Sequence, residues 1–305
     1  MSFERLKSVS IQGELIPPEL LKVMEQSFLG EDLSGKLERD GYLLLRNVYN
    51  SNKVEEAREK ILWYLYQVGE VKDPYELGVY SGNSYRRSIY QTTNELGNFW
   101  KKVSEIKSLR DVINGESIKK VMDKIFGEET THFSFAWLRA MVQGKASPVH
   151  IDHPYMNRGT DKLVTCWTPL SRIEENEGTL YVMENSHLWS DIKNKFLGLD
   201  IDASPSSPGH IQEHPLDLIN RKGASFLTTS FSPGDCLIFD MFTVHGSFDN
   251  NSKSGKIRLS CDTRFQPKSE PMDPRFSGPS PEAHKGLGYG CLSASLPLTE
   301  TSKPK

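Results

Sequence analysis

The chain has 305 residues, 37% of them hydrophobic and 25% charged, with a formal net charge of −3. That length is enough to bury a sizeable core in one large domain or two small ones. The mild charge gives no reason to expect a nucleic-acid or membrane-surface partner, and no apolar run approaches the ~20 residues that span a bilayer.

The N-terminal third reads mainly as helix. Pro17-Pro18 opens a short amphipathic stretch carrying Leu20, Leu21, Met24 and Phe28, with Gly30 as its stop. Residues 40–49 (DGYLLLRNVY) are apolar between turn residues and predict a buried strand. Residues 52–68 place Asn52 and Glu55 at capping-box spacing. Val54, Ala57, Ile61, Leu65 and Val68 make an apolar stripe, and Gly69 ends the helix. A second helix, 117–126, puts Ile118, Val121, Met122 and Ile125 on one face.

After residue 130 the pattern turns to β. Short aromatic and β-branched runs at 132–143, 163–170, 178–183, 235–245 and 256–265 are separated by Gly, Pro, Asn and Ser. Helices followed by strands predict an α+β class, with the strands in a sandwich or barrel. The polar stretch 190–224 reads as a long loop or lid, and the Pro/Gly/Ser-rich tail after Pro267 as irregular, wrapping or partly disordered. The expected organisation is an N-terminal helical extension (1–36), a main domain (37–267) and a tail (268–305). The N-terminus lacks the continuous apolar core of a signal peptide. Cys166, Cys236, Cys261 and Cys291 form no CxxC pair and read as small core residues. A reduced, cytoplasmic setting is expected.

The stretch 147–154, SPVHIDHP, carries the chemistry. In a strand, residues i and i+2 share a face, so His150 and Asp152 reach one point while His153 faces away. A third ligand comes best from His245, which ends the apolar run CLIFDMFTVH. Two imidazoles, one carboxylate and open positions are the ligand set of non-haem Fe(II) oxygenases. The plain alternative is a hydrogen-bonded polar pair, but a carboxylate buried without a cation is costly. Ser247 shares the face of His245. Arg258, on the next strand-like run, offers a planar fork that fits a carboxylate. Arg139, in the strand FAWLRAMVQ, should face the pocket or a carboxylate and could touch an anionic ligand. Tyr155 and the segment 85–91 (Arg86, Arg87) are weaker substrate-side candidates. His132 and His187 read as structural.

The ordered set His150-x-Asp152, CWTPLSRIEENEGTLYVMENSH, His245-Gly-Ser247 and Arg258 resembles the phytanoyl-CoA dioxygenase family of Fe(II)/2-oxoglutarate oxygenases, from about Leu37 to Pro267. The resemblance implies a double-stranded β-helix (jelly roll) with N-terminal helices packed on one sheet. It implies His150, Asp152 and His245 as iron ligands, Arg258 and Ser247 on the 5-carboxylate of 2-oxoglutarate, and Trp167 lining that pocket. Arg139 is a further candidate beside the cosubstrate and could touch 2-oxoglutarate or an anionic substrate. Lys256 and Arg264 share the strand parity of Arg258 and stay open as alternatives. The implied reaction uses Fe(II), 2-oxoglutarate as cosubstrate and O2 to oxidise a small molecule, with succinate and CO2 as co-products. Because Asp152 is present, the resemblance favours hydroxylation or a related oxidation over halogenation. Two other classes remain: a cupin-like isomerase or hydrolase on Zn or Mn, and a jelly-roll binding module without catalysis. Oligomeric state is not legible.

Overall fold

The computed structural model describes residues 6–144 and 147–301. A small hairpin, β1 (Ser10–Ile11) with β2 (Glu14–Leu15), precedes eleven further strands. These are β3 (Leu21–Val23), β4 (Gln26–Ser27), β5 (Tyr42–Leu45), β6 (Thr130–His132), β7 (Trp137–Met141), β8 (Val164–Pro169) and β9 (Leu180–Met183). Then come β10 (Phe226–Thr228), β11 (Cys236–Asp240), β12 (His245–Ser247) and β13 (Arg258–Pro267).

Two sheets face each other. The larger runs β4-β5-β11-β8-β13, with β6 and β7 both paired to the far edge of β13. The smaller runs β12-β9-β10-β3. Register fixes which side chains share a face, because directly opposed residues point the same way. Leu44 pairs Leu237, Leu237 pairs Trp167, and Trp167 pairs Asp262. That parity class lies between the sheets, where Tyr42, Leu44, Trp167, Leu237 and Phe239 meet Leu180, Val182 and Leu227. The opposite class, Leu43, Leu45, Cys166, Cys236, Ile238, Leu259 and Cys261, packs under the helices. The result is an α+β double-stranded β-helix, or jelly roll, with helices on one sheet, as expected.

The covering helices are α1 (Leu33–Asp40), α2 (Ser51–Gln67), α3 (Arg86–Ile89), α4 (Thr93–Ser104), α5 (Lys107–Ile113) and α6 (Glu116–Phe126). The predicted helix at 52–68 is α2, but its cap is Asn50, whose side chain accepts from the Asn52 and Lys53 N–H groups. The capping box sits instead on α4, between Thr92 and Glu95, where the same spacing is present in the sequence.

Two expectations need correction. The amphipathic stretch after Pro17-Pro18 is not a helix. Pro18–Leu20 makes one 3-10 turn, and Leu21–Val23 then pairs in parallel with β10. A free sheet edge satisfies backbone groups of that stretch, whereas so short a helix has little stability of its own. The stretch 190–224 is not a simple loop. It contains α7 (Ser190–Phe196) and α8 (Pro215–Lys222), whose Ile192, Phe196, Leu216 and Ile219 pack with Val149, Ile151, Tyr181 and Met183. The tail 268–301 is irregular, as expected, with short 3-10 turns and one α-helical turn at Leu298–Thr301, and it wraps onto the core. Phe276, Tyr289, Ala294 and Leu298 are buried in the main core.

Candidate active site

His150 and His245 are brought together by the backbone. Each N–H donates to the other's carbonyl, at 3.0 and 2.9 Å, an isolated bridge that sets the two rings 4.2 Å apart. Each Nδ1 lies 2.9 Å from a carbonyl two residues earlier, Pro148 for His150 and Thr243 for His245. A carbonyl can only accept, so both Nδ1 atoms carry the proton and both Nε2 lone pairs are free for a metal. The chain leaves its extended path at Asp152, which opens a 3-10 turn at His153–Tyr155. His153 faces away from the site, as expected, with its ring stacked on Phe242 and Nε2 3.3 Å from Asp161.

Asp152 is divided between two tasks. Oδ1 lies 3.7 Å from His150 Nε2 and 3.8 Å from His245 Nε2. Oδ2 accepts from Arg264 Nη2 at 2.9 Å and from the Thr165 hydroxyl. The outer partners hold one oxygen and leave the other facing the imidazoles. The ligand atoms of His150, Asp152 and His245 lie within 4.8 Å of one another, the one such cluster among the described residues. Both imidazoles have one free nitrogen and the carboxylate one free oxygen, so the donor set fits a divalent iron.

Electrostatics keep these groups in metal-ready form. Burial, helped by the neighbouring His245, pushes His150 down to about 3, and burial also lowers His245. Burial alone would raise Asp152, but Arg264 foremost holds it well below the usual carboxylate range. The consequence for stability has a definite sign. The unfolded chain protonates its histidines below about pH 6.5, whereas the folded chain keeps these two neutral. The metal-free protein should therefore lose stability as pH falls below about 6.5. The Asp152 contribution is lost only at lower pH, starting near the unfolded carboxylate value of about 4. Thermal denaturation of metal-free protein across that range checks this, and the slope should shrink in His150→Gln. A melting temperature independent of pH would refute it.

Beyond the triad lies a second pocket, lined by His150 and His245 at one end and by Trp167, Ser247 and Arg258 at the other. Arg258 is buried, with its guanidinium 5.3 Å above the Trp167 ring. Its Nη1 donates to Ser260 Oγ at 3.0 Å, while Nε has no partner. Trp167 Nε1 is also buried without a partner. Ser247 Oγ accepts from the Ser147 N–H at 3.0 Å and keeps its own proton to donate. Unpartnered buried donors are costly, and a carboxylate is the group that would satisfy these. Of the parity-matched cations, only Arg258 lines this pocket. Arg264 is turned to Asp152, and Lys256 has its backbone bridged to Val79, away from the triad.

A larger cavity of about 340 Å³ opens on the other side of His150 and Asp152. Arg139 lines both spaces. Its Nε and Nη2 both reach Asp262 Oδ2 at 2.7 Å, so it faces a carboxylate as well as the pocket. Tyr155 lines the cavity too, edge-on to His150. Arg86 and Arg87 do not. Arg86 is fully buried against Glu70, and Arg87 pairs with Glu300 at the surface. Cys291 is half-buried and lines the cavity, so it departs from the core role expected of all four cysteines. Sequence reasoning missed Thr165, Asp262 and the cavity's His210 and His284. For the first two the signal was available, since they share parity with Trp167 and Arg258.

The phytanoyl-CoA dioxygenase (PhyH) family model matches residues 37–259. A 1-deoxypentalenic acid 11-beta-hydroxylase from Streptomyces exfoliatus is 25% identical over 277 residues, which are 86% of this chain and 90% of that protein. Its namesake from Streptomyces arenae matches at the same identity over 278 residues. Two solved structures share the fold. The alpha-ketoglutarate-dependent carbocyclase SnoK from nogalamycin biosynthesis has a TM-score of 0.53 at 15% identity, over 82% of this chain and 90% of its own. The corresponding epimerase SnoN has a TM-score of 0.52 at 16% identity, over 79% and 84%. Among the described residues no helix is long and apolar enough to cross a membrane. With a family match over most of its length and the His-Asp-His triad in place, the chain belongs to the phytanoyl-CoA dioxygenase family and is an Fe(II)/2-oxoglutarate-dependent oxygenase.

Proposed function

We propose that this oxygenase hydroxylates, or otherwise oxidises, a small and largely apolar molecule that carries an acidic group. The observation that carries the reading is that His150 lines two spaces, a small one shared with His245 that holds unpartnered donors and a broad one shared with Asp152. In this reading His150, Asp152 and His245 hold Fe(II), and Arg258, Ser247 and Trp167 receive the far carboxylate of 2-oxoglutarate. Bound Fe(II), 2-oxoglutarate and O2 supply the oxidation of a C–H bond, with succinate and CO2 as co-products. The protein holds the imidazole tautomers through Pro148 and Thr243, keeps Asp152 ionised through Arg264, and presents the substrate from the larger cavity.

The cavity's chemistry supports the substrate class. Trp137, Tyr155, Met156 and Leu292 supply apolar surface, and Arg139, His210 and His284 supply polar contacts. Arg139 is held by Asp262 through one edge and keeps further N–H groups for an anion. The two Streptomyces relatives are hydroxylases of a carboxylic acid.

Anaerobic titration with Fe(II) and 2-oxoglutarate, followed by visible absorbance, tests the cosubstrate arrangement through its weak charge-transfer band. Metal binding without the band would refute it. Succinate release stimulated by compact apolar carboxylic acids, measured against their methyl esters, tests the substrate class. Acids should be favoured, and Arg139→Gln should reduce that preference by about tenfold, the loss of one charge-assisted contact. Equal stimulation by acids and esters would remove the acidic group from the proposal.

A further inference from the structure

We infer that the C-terminal segment is the substrate-selecting wall of the active site, and that Arg86 is the positioning residue that fixes it. This rests on reading the larger cavity as the substrate site. Cys291, Leu292, Ser293 and Ala294 line that cavity together with His150 and Asp152. The family match ends at residue 259, so this wall lies outside the part of the chain that the family model describes. The residues that would hold metal and cosubstrate, His150, Asp152, His245, Ser247, Trp167 and Arg258, lie within the matched part, and the wall lies C-terminal to it.

The wall is gripped by its main chain. Arg86 Nη1 donates to three successive carbonyls, Ala294 at 2.8 Å, Ser295 at 3.0 Å and Leu296 at 2.8 Å. These carbonyls begin at the last of the cavity-lining residues. On its other side Arg86 Nη2 is paired with Glu70, and both side chains are fully buried. Glu70 Oε1 in turn accepts from the Leu298 N–H at 3.0 Å, so the ion pair holds the tail at both ends of one short stretch. The guanidinium also lies over Phe99 and Trp100 of α4, at 5.0 and 5.3 Å. A buried charge is costly unless paired and hydrogen-bonded; Glu70 pairs this one, backbone oxygens of the tail accept three of its hydrogen bonds, and Nε is left without a partner.

A second contact presses the tail onto the same helix. A Cβ added at Gly97 would lie 2.7 Å from Gly290 N and 2.9 Å from its Cα, so helix and tail meet backbone to backbone. Both contacts hold main chain. The side chains of Leu292 and Ser293, which are not fully buried, can therefore differ in size without removing either contact, which is what a specificity wall requires.

The test uses the full chain and four variants. Arg86→Lys keeps the buried charge beside Glu70 but loses the fork that reaches three carbonyls, and hydrogen exchange over residues 288–298 should quicken about tenfold in it. Gly97→Ala wedges helix from tail without touching a charge or a cavity side chain. Leu292→Ala and Ala294→Leu alter the wall's volume directly and do not depend on removing a buried ion pair. Hydrogen exchange over residues 288–298 should quicken about tenfold in Gly97→Ala. The KM for an accepted carboxylic acid should rise about tenfold with kcat little changed, and the Fe(II)/2-oxoglutarate band should be retained. Across a graded series of carboxylic acids, Leu292→Ala should move the optimum to bulkier molecules and Ala294→Leu to smaller ones. Unchanged exchange in Arg86→Lys overturns the Arg86 clamp, unchanged exchange in Gly97→Ala overturns the helix–tail contact, and an unchanged size optimum in both wall variants overturns the wall. Absence of the band in the unaltered protein would fail the cofactor reading instead, and the exchange result would still decide the clamp.

Discussion

Asp152→Ala is expected to lose iron, turnover and stability together. Oδ1 is the one acidic ligand atom facing the two imidazoles, so its removal leaves a two-nitrogen site. Loss of an outer partner of a metal ligand already costs ~10–100-fold in affinity or activity, and loss of the ligand itself should exceed that. The stability effect has a separate cause. Oδ2 is the ion-pair partner of Arg264, which is 2% exposed and whose next carboxylate, Asp262, stands 3.8 Å away. Stripping one member from a buried pair costs roughly 3–5 kcal/mol, because the remaining charge stays buried. Metal-free Asp152→Ala should therefore melt well below the unaltered protein, although the Trp137 ring 4.2 Å from the guanidinium softens the loss. Asp152→Asn keeps the shape and should recover part of the stability without the activity. Metal content, succinate release and thermal denaturation separate the two effects. Normal turnover in Asp152→Ala would remove the triad, and an unchanged melting temperature would remove the Arg264 pairing.

That dual role shows where sequence reasoning reaches and where it stops. Residue spacing was enough to place His150 and Asp152 on one side and His153 on the other. The apolar run ending at His245 was enough to nominate the third ligand. Each of these is a local pattern, and local patterns survive in one dimension. Asp152 meets Thr165 and Arg264 because β8 and β13 lie in one register, with Arg264 opposite Thr165. Register across strands is decided by the whole sandwich, so Arg264 could be recognised as sharing parity with Arg258 but not assigned a partner. The same limit applies to the tail. Its Pro, Gly and Ser content correctly excluded long elements, yet composition carries no information on Arg86, some two hundred residues earlier, gripping its carbonyls. The N-terminal stretch failed in the opposite direction. Its apolar spacing fits a helix, but the open edge of β10 offered a better set of hydrogen bonds.

Arg258→Met should raise the stability of the cosubstrate-free protein while abolishing its response to 2-oxoglutarate. Arg258 forms no ion pair among the described residues, and burial pushes its guanidinium down to about 10 from its ordinary value. It spends that burial on a serine hydroxyl and a thioether, Ser260 and Met141, with Nε unpartnered. Exchanging buried charge for an apolar side chain of similar length is often neutral or stabilising by about 1–4 kcal/mol. The charge is thus held in a costly state that an incoming carboxylate would relieve. Two charge-assisted hydrogen bonds at about 1.5–3 kcal/mol each correspond to a loss of about 100-fold or more in 2-oxoglutarate affinity. A ligand at ~100 times its Kd stabilises by about 2.7 kcal/mol, so the unaltered protein should show a thermal shift with 2-oxoglutarate that the variant lacks. Arg258→Lys should fall between them, since it keeps the charge and loses the planar fork. Stability and affinity moving in opposite directions is the signature of a binding residue. If both fall together, Arg258 is part of the scaffold, and if affinity does not move, the far carboxylate is held elsewhere.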